Sequence, residues 1–239
     1  MTSLDLTGVR AVLFDAVGTV VSPSPPVAAA YAQAAERFGL RAAEEEVDWR
    51  FRAAFARQEA IDARNGWRTD EARERGRWRA IVAEVFPDAD DGEGLFDALW
   101  RHFADPAHWA AFDDVTACWR TLADRGLIVG LASNFDERLG GIVRGLSPLA
   151  GCRHVFTSSG LGWRKPAREF FDSIAAALRL PPREIVLVGD DLDNDYRGAR
   201  QAGWQTVLLQ RSAAGAPPPA GTCFISHLAG FGAGRTARA

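Results

Sequence analysis

The sequence predicts an α/β fold: a parallel sheet core with helices on both faces, interrupted by an all-helical insert. Three observations carry this. Strand-length apolar runs end repeatedly on polar residues: residues 11–14 before Asp15, 127–132 before Ser133-Asn134, and 184–189 before Asp190-Asp191. Helical patterns separate these runs in the second half of the chain, which implies βαβ units and parallel strands. Between the first strand and the rest, residues 22–111 carry helical pattern alone.

The elements follow in order. Residues 11–14 are uniformly apolar, as in a strand buried on both faces. Ser22-Pro-Ser-Pro-Pro26 breaks that pattern, and the alanine-rich residues 27–38 form a first helix stopped by Gly39. A second helix spans 44–64, with Val47, Phe51, Ala54 and Phe55 on one stripe and Asn65-Gly66 closing it. Thr69 is placed to cap a third helix, through Trp78, Ile81, Val82 and Val85, ended by Pro87. Residues 94–103 give a fourth. Then come helix 114–125 stopped by Gly126, strand 127–132, helix 137–145 and strand 154–158. Helix 168–178, strand 184–189, helix 195–202 and strand 205–210 complete the alternation. Residues 212–220 read as a Pro/Ala-rich loop and 230–239 as a frayed tail. The expected division is a discontinuous core, 1–21 with 112–239, and a helical insert, 22–111.

Composition narrows the function. With 47% apolar and 25% charged residues, the 239-residue chain builds a sizeable core and is not disordered. The 28 basic and 31 acidic residues are intermixed and leave a net charge of −3, which argues against nucleic-acid partners. The first residues lack the basic-then-apolar pattern of a secretory signal, and no apolar run is long enough to cross a membrane. Cys118, Cys152 and Cys223 are widely spaced, odd in number and free of any CxxC pattern; reduced thiols and a cytoplasmic location are expected. The insert's tryptophans, Trp49, Trp67, Trp78, Trp100 and Trp109, are expected mainly in its core. Lys165 is the only lysine, so any step that needs one must use it.

Parallel strands bring their carboxyl ends to one edge, where α/β proteins place ligands. Asp15, Ser133, Asn134, Asp190, Asp191 and Asp195 are therefore expected to converge. Alone, each has an ordinary explanation: a turn residue, a helix cap, an acidic first turn. In combination they are a set of hard oxygen ligands without His or Cys, which points to Mg²⁺ rather than zinc. Mutual repulsion of the carboxylates calls for such a cation. A hydroxyl, an amide and Lys165 would serve an anionic group such as phosphate, and a carboxylate at a strand end can act as a covalent nucleophile.

Four stretches resemble the motifs of the haloacid dehalogenase-like (HAD) hydrolase superfamily. They are Val12-Leu-Phe-Asp15-Ala-Val17-Gly18-Thr19, Gly130-Leu-Ala-Ser133-Asn134-Phe-Asp136, Trp163-Arg-Lys165-Pro166, and Val188-Gly-Asp190-Asp191-Leu-Asp-Asn-Asp195-Tyr-Arg-Gly-Ala199. The helical insert is similar to the small helical cap of one subfamily. The resemblance implies a Rossmann-like core and a small phosphorylated substrate. It gives Asp15 as nucleophile; Ser133 and Asn134, with Gly18 and Thr19, on the transferring group; and Lys165 balancing its charge. It implies Mg²⁺ on Asp15, Asp190 and the Val17 carbonyl, supported by Asp195 and Asp191. Family phosphatases usually carry a second Asp where this chain has Val17, to protonate the leaving oxygen. Its absence leaves three alternatives: a phosphohydrolase with an altered acid, a metal-independent 2-haloacid dehalogenase, or a catalytically weak binding protein on the same fold. An imine-forming phosphonate hydrolase is excluded, because residues 21–111 contain no lysine.

Overall fold

The computed structural model describes residues 5–212 and 217–233. In chain order the elements are β1 (Ala11–Phe14), β2 (Val21–Pro23), α1 (Val27–Glu36), α2 (Glu44–Arg64), α3 (Glu71–Val85), α4 (Gly92–His102) and β3 (Trp109–Ala111). There follow α5 (Val115–Asp124), β4 (Ile128–Ser133), α6 (Arg138–Gly145), β5 (His154–Thr157), α7 (Ser158–Leu161) and α8 (Arg168–Leu178). The chain continues with β6 (Ile185–Gly189), a π-helical turn (Leu192–Arg197), α9 (Gly198–Gln201), β7 (Gln205–Leu209) and β8 (Phe224–Ile225). Six strands form one sheet in the order β5-β4-β1-β6-β7-β8, every neighbouring pair parallel.

Alternation along β1 explains the two-sided core. Val12 and Phe14 face a cluster with Val115, Cys118 and Leu122 of α5 and Leu139, Ile142 and Val143 of α6. Ala11 and Leu13 face Phe170, Phe171 and Ile174 of α8 and Ala199 of α9. Helices thus cover both faces, which is why the central strands read as continuous apolar runs. A third cluster, built on Tyr31, Val47, Ala54, Ile81, Val85, Leu95 and Leu99, belongs to the helices between β2 and β3. Those two short strands pair antiparallel, so the chain leaves for the helical insert and returns from it on one ribbon.

Several boundaries differ from the sequence expectation. Asp70, not Thr69, caps α3, accepting from the Arg73 amide at 2.7 Å, while the Thr69 hydroxyl donates to Glu74 at 2.8 Å. The helix expected over 195–202 is instead a π-turn entered through Asp191, followed by the single turn α9. The expected tail begins too early: Phe231 is buried and packs edge-on to Phe14, and residues 234–239 lie outside the described residues, as do 213–216 of the expected loop. Trp49 is 69% exposed, unlike the insert's other tryptophans.

A buried polar junction ties the insert to the sheet domain. Asp62 on α2 is fully buried and accepts from Arg77 at 2.5 Å and from Arg73 at 2.5 Å. Arg164, from the loop after α7, lies 3.7 Å from Asp62 and donates to the buried Glu74 at 2.5 Å. The main chain repeats the connection: the Arg164 amide donates to the Trp67 carbonyl and the Thr69 amide to the Gly162 carbonyl, while the Arg68 guanidinium lies over the Trp163 ring. Removing one member of a buried charge cluster strands the others, at a cost of about 3–5 kcal/mol. Asp62→Ala is therefore expected to lower the unfolding free energy by about that amount in chemical denaturation; a loss under about 1 kcal/mol, as for exposed pairs, would contradict the junction's burial.

Candidate active site

β1 lies between β4 and β6, so the carboxyl ends of all three strands meet at the centre of the sheet edge. The chain departs from β1 toward β4 and later returns on the other side with β6, and this reversal opens the crevice in which ligands of α/β sheets sit. Asp15 follows the last residue of β1, its amide donating to the Val188 carbonyl at 2.9 Å. Ser133 ends β4 on one side and Asp190 follows β6 on the other.

Lys165 reaches this centre from the loop before α8. Its buried ammonium donates to Asp15 Oδ1 at 2.5 Å, Asp195 Oδ1 at 2.5 Å and the Ala132 carbonyl at 3.0 Å, so each of its three protons has a partner. Burial works against its charge, yet Asp15 and Asp195 hold its pKa above the ordinary lysine value. Asn134 fixes the lysine's main chain from both directions, accepting from its amide at 2.7 Å and donating to its carbonyl at 3.0 Å. Asn134 was expected on the substrate; here it positions Lys165.

The turn after β1 shapes the opposite wall. Gly18 has φ +86°, and a Cβ there would overlap the Asp190 carboxylate, so glycine is required on both counts. Its amide is spent on the Val21 carbonyl. Thr19 is fully buried and donates to Asp190 Oδ1 at 2.8 Å. Both residues therefore serve Asp190 rather than face the cavity, a different part from the one expected of them. Asp191 also differs: its exposed carboxylate accepts from the Asp193 and Asn194 amides and thereby caps the π-turn. That turn brings Asp195 inward, where its second oxygen accepts from the Asp191 amide at 3.0 Å.

Asp15, Asp190 and Asp195 offer carboxylate oxygens that all lie within 4.8 Å of one another. Three carboxylates share one ammonium's neighbourhood, and the strain appears in the protonation of Asp190 and Asp195. Burial, then the charges of Asp15 and Asp195, push Asp190 up to about 7. Burial pushes Asp195 up to about 6, with Lys165 opposing. A compact set of hard anionic oxygens with surplus negative charge fits a divalent cation such as Mg²⁺. Asp191 is outside this group of three.

A cavity of about 320 Å³ rises from the site into the insert. Asp15, Val17, Ser133, Asn134, Lys165, Asp190, Asp191 and Asp195 line its floor, whereas Gly18 and Thr19 do not. The Ser133 hydroxyl, almost fully buried, has no hydrogen-bond partner among the described residues. Val17 presents an apolar, 36% exposed side chain at the position expected of a proton donor. Sequence reasoning missed the cavity's upper wall and Arg138, whose guanidinium is held by buried Asp136 and stacks on Trp100 at 3.5 Å. A buried acid two residues before an arginine, within the Ser133 motif, was the available signal.

Known proteins bear on this arrangement. A family model described as haloacid dehalogenase-like hydrolase matches residues 9–203. The chain is 28% identical to the zebrafish (Danio rerio) haloacid dehalogenase-like hydrolase domain-containing protein 3 over 208 residues, 85% of this chain and 86% of that protein. Among solved structures it resembles a defluorinating L-2-haloacid dehalogenase, with TM-score 0.78 and 20% identity over 97% of this chain and 98% of the other. It also resembles a HAD phosphatase from Thermococcus onnurineus, with TM-score 0.65 and 22% identity over 92% and 94%. With its motifs at the meeting point of β1, β4 and β6, and the family match spanning most of its length, the chain belongs to the haloacid dehalogenase-like hydrolase family.

Proposed function

We propose that this hydrolase is a Mg²⁺-dependent phosphohydrolase of small phosphorylated molecules in the cytoplasm, with Asp15 as its nucleophile. The observation that supports this most is the trio Asp15, Asp190 and Asp195, whose carboxylates lie together while only Asp15 and Asp195 are paired with an ammonium. A dehalogenation centre attacking carbon has no need for so much uncompensated negative charge. Asp15, Asp190 and the Val17 carbonyl would hold the ion, Asp195 and Asp191 supporting them. When bound, it would offset charge on the transferring phosphoryl group.

The chain's own groups perform the rest. Lys165 holds one Asp15 oxygen in place. The other oxygen attacks phosphorus, the bond to the leaving oxygen breaks, and that oxygen departs with the electron pair. The Ser133 hydroxyl binds a phosphoryl oxygen, and the Lys165 ammonium, its three protons already placed on protein oxygens, offsets the phosphoryl charge from beside Asp15. Water then attacks phosphorus, the aspartyl oxygen leaves to regenerate Asp15, and the water's proton passes to phosphate or solvent. Residues 22–111 act as a cap over residues 1–21 and 112–239, turning on the β2–β3 ribbon, with the Asp62–Arg164 junction closing it.

Val17 favours one other reading, a 2-haloacid dehalogenase, since departing halide needs no proton. Halide release from 2-chloropropionate in EDTA would establish it. On the phosphohydrolase reading, p-nitrophenyl phosphate is hydrolysed with Mg²⁺, EDTA abolishes turnover, and Asp15→Asn removes it in the same colorimetric assay. Undiminished turnover in that variant would refute the nucleophile. General-acid help is worth about 10²–10⁴ in rate. Val17→Asp is accordingly expected to raise kcat on alkyl phosphates toward that range, and to change p-nitrophenyl phosphate far less, because p-nitrophenolate leaves without a proton.

A further inference from the structure

The phosphohydrolase reading accounts for the floor of the cavity and leaves its walls unexplained. Above Asp15 the cavity is lined by Tyr31 of α1, Phe51 and Phe55 of α2, Trp78 of α3, Trp100 of α4 and Phe135 of the sheet domain. Four of these rings form a continuous surface: Tyr31 meets Phe51 edge-on at 5.4 Å, and Trp78 lies 6.3 Å from both Phe51 and Phe55. The charged groups nearby are engaged, Glu74 with Arg164, Glu59 with Asn194, and Arg138 with Asp136. A sugar or polyol entering here would lose water from each hydroxyl and gain few partners. A planar apolar ring would find stacking and edge contacts on several sides.

One polar group in that wall is unspent. Tyr31 is 2% exposed, and its hydroxyl makes no hydrogen bond among the described residues. Tyr31 lines the cavity, so a ligand that enters there can meet this hydroxyl.

Val17 points the same way by independent chemistry. When Asp15 attacks phosphorus, the leaving oxygen takes the bonding pair, and an isopropyl side chain at position 17 has no proton to give it. An alkoxide is a poor leaving group under those conditions. A phenoxide spreads its charge into the ring, departs as the anion and takes its proton from solvent on release. From the aromatic cavity and the missing donor together, we propose that the substrate is an aryl phosphate monoester whose ring sits among Tyr31, Phe51, Phe55 and Trp78. This assignment rests on the phosphohydrolase reading.

Binding of phenylphosphonate and methylphosphonate to the wild-type protein with Mg²⁺, measured by calorimetry, tests the ring directly, alongside turnover of phenyl phosphate and acetyl phosphate. Phenylphosphonate is expected to bind at least tenfold more tightly. Trp78→Ala should reduce that preference to under threefold. Equal binding of the two phosphonates by the wild type, with acetyl phosphate still turned over, would overturn the aryl assignment and leave the phosphohydrolase reading intact. No metal-dependent turnover of either phosphate would overturn the reading itself, and the assignment with it.

Discussion

One ammonium between two carboxylates organises this molecule. Lys165 is the only lysine, it is buried, and its three protons go to Asp15, Asp195 and a β4 carbonyl. An ion buried to this degree persists only when it is paired and fully hydrogen-bonded. That requirement fixes three strands and a loop relative to one another. β1 must deliver Asp15 at its end, the π-turn after β6 must swing Asp195 inward, and the loop before α8 must hold Lys165 in reach.

Neighbouring features serve that cluster. Asn134 grips the lysine's main chain, and Gly189 leaves room for the Asp195 carboxylate, which a Cβ would overlap. The residue before Lys165 is Arg164, whose side chain and amide both join the helical insert. A change in the insert's position is therefore felt one peptide from the central ammonium. Coupling of this kind gives a lid closing over a substrate a physical route to the residues that bind it.

The parts legible in the sequence share one property: they are local. The apolar runs of β1, β4 and β6 stop at polar residues, so the site's edge can be found without knowing any long-range contact. The α2 boundaries follow from a charged first turn and Asn65-Gly66. What escaped was non-local or disguised. β2 and β3 are three residues each, far below the length at which alternation is informative, and β2 ends on a proline. Asp62, Glu74 and Arg77 lie on helices whose polar residues look solvated, and their partner Arg164 is 90 residues from Glu74. Thr19 and Asn134 carried the right address and a further part: Thr19 holds Asp190 from outside the cavity lining, and Asn134, at the cavity floor, holds the main chain of Lys165.

On the proposed function, the cavity's apolar wall and charged floor divide the labour: the floor carries out the reaction and the wall selects the molecule. The floor stands or falls on covalent chemistry at Asp15. The most direct measurement is peptide mass spectrometry of the protein acid-quenched during turnover of an aryl phosphate. A phosphoryl adduct on the peptide carrying Asp15, absent before substrate is added, is the predicted result. Continued hydrolysis with Asp15 unmodified at every quench time, or an adduct on another residue, would contradict it.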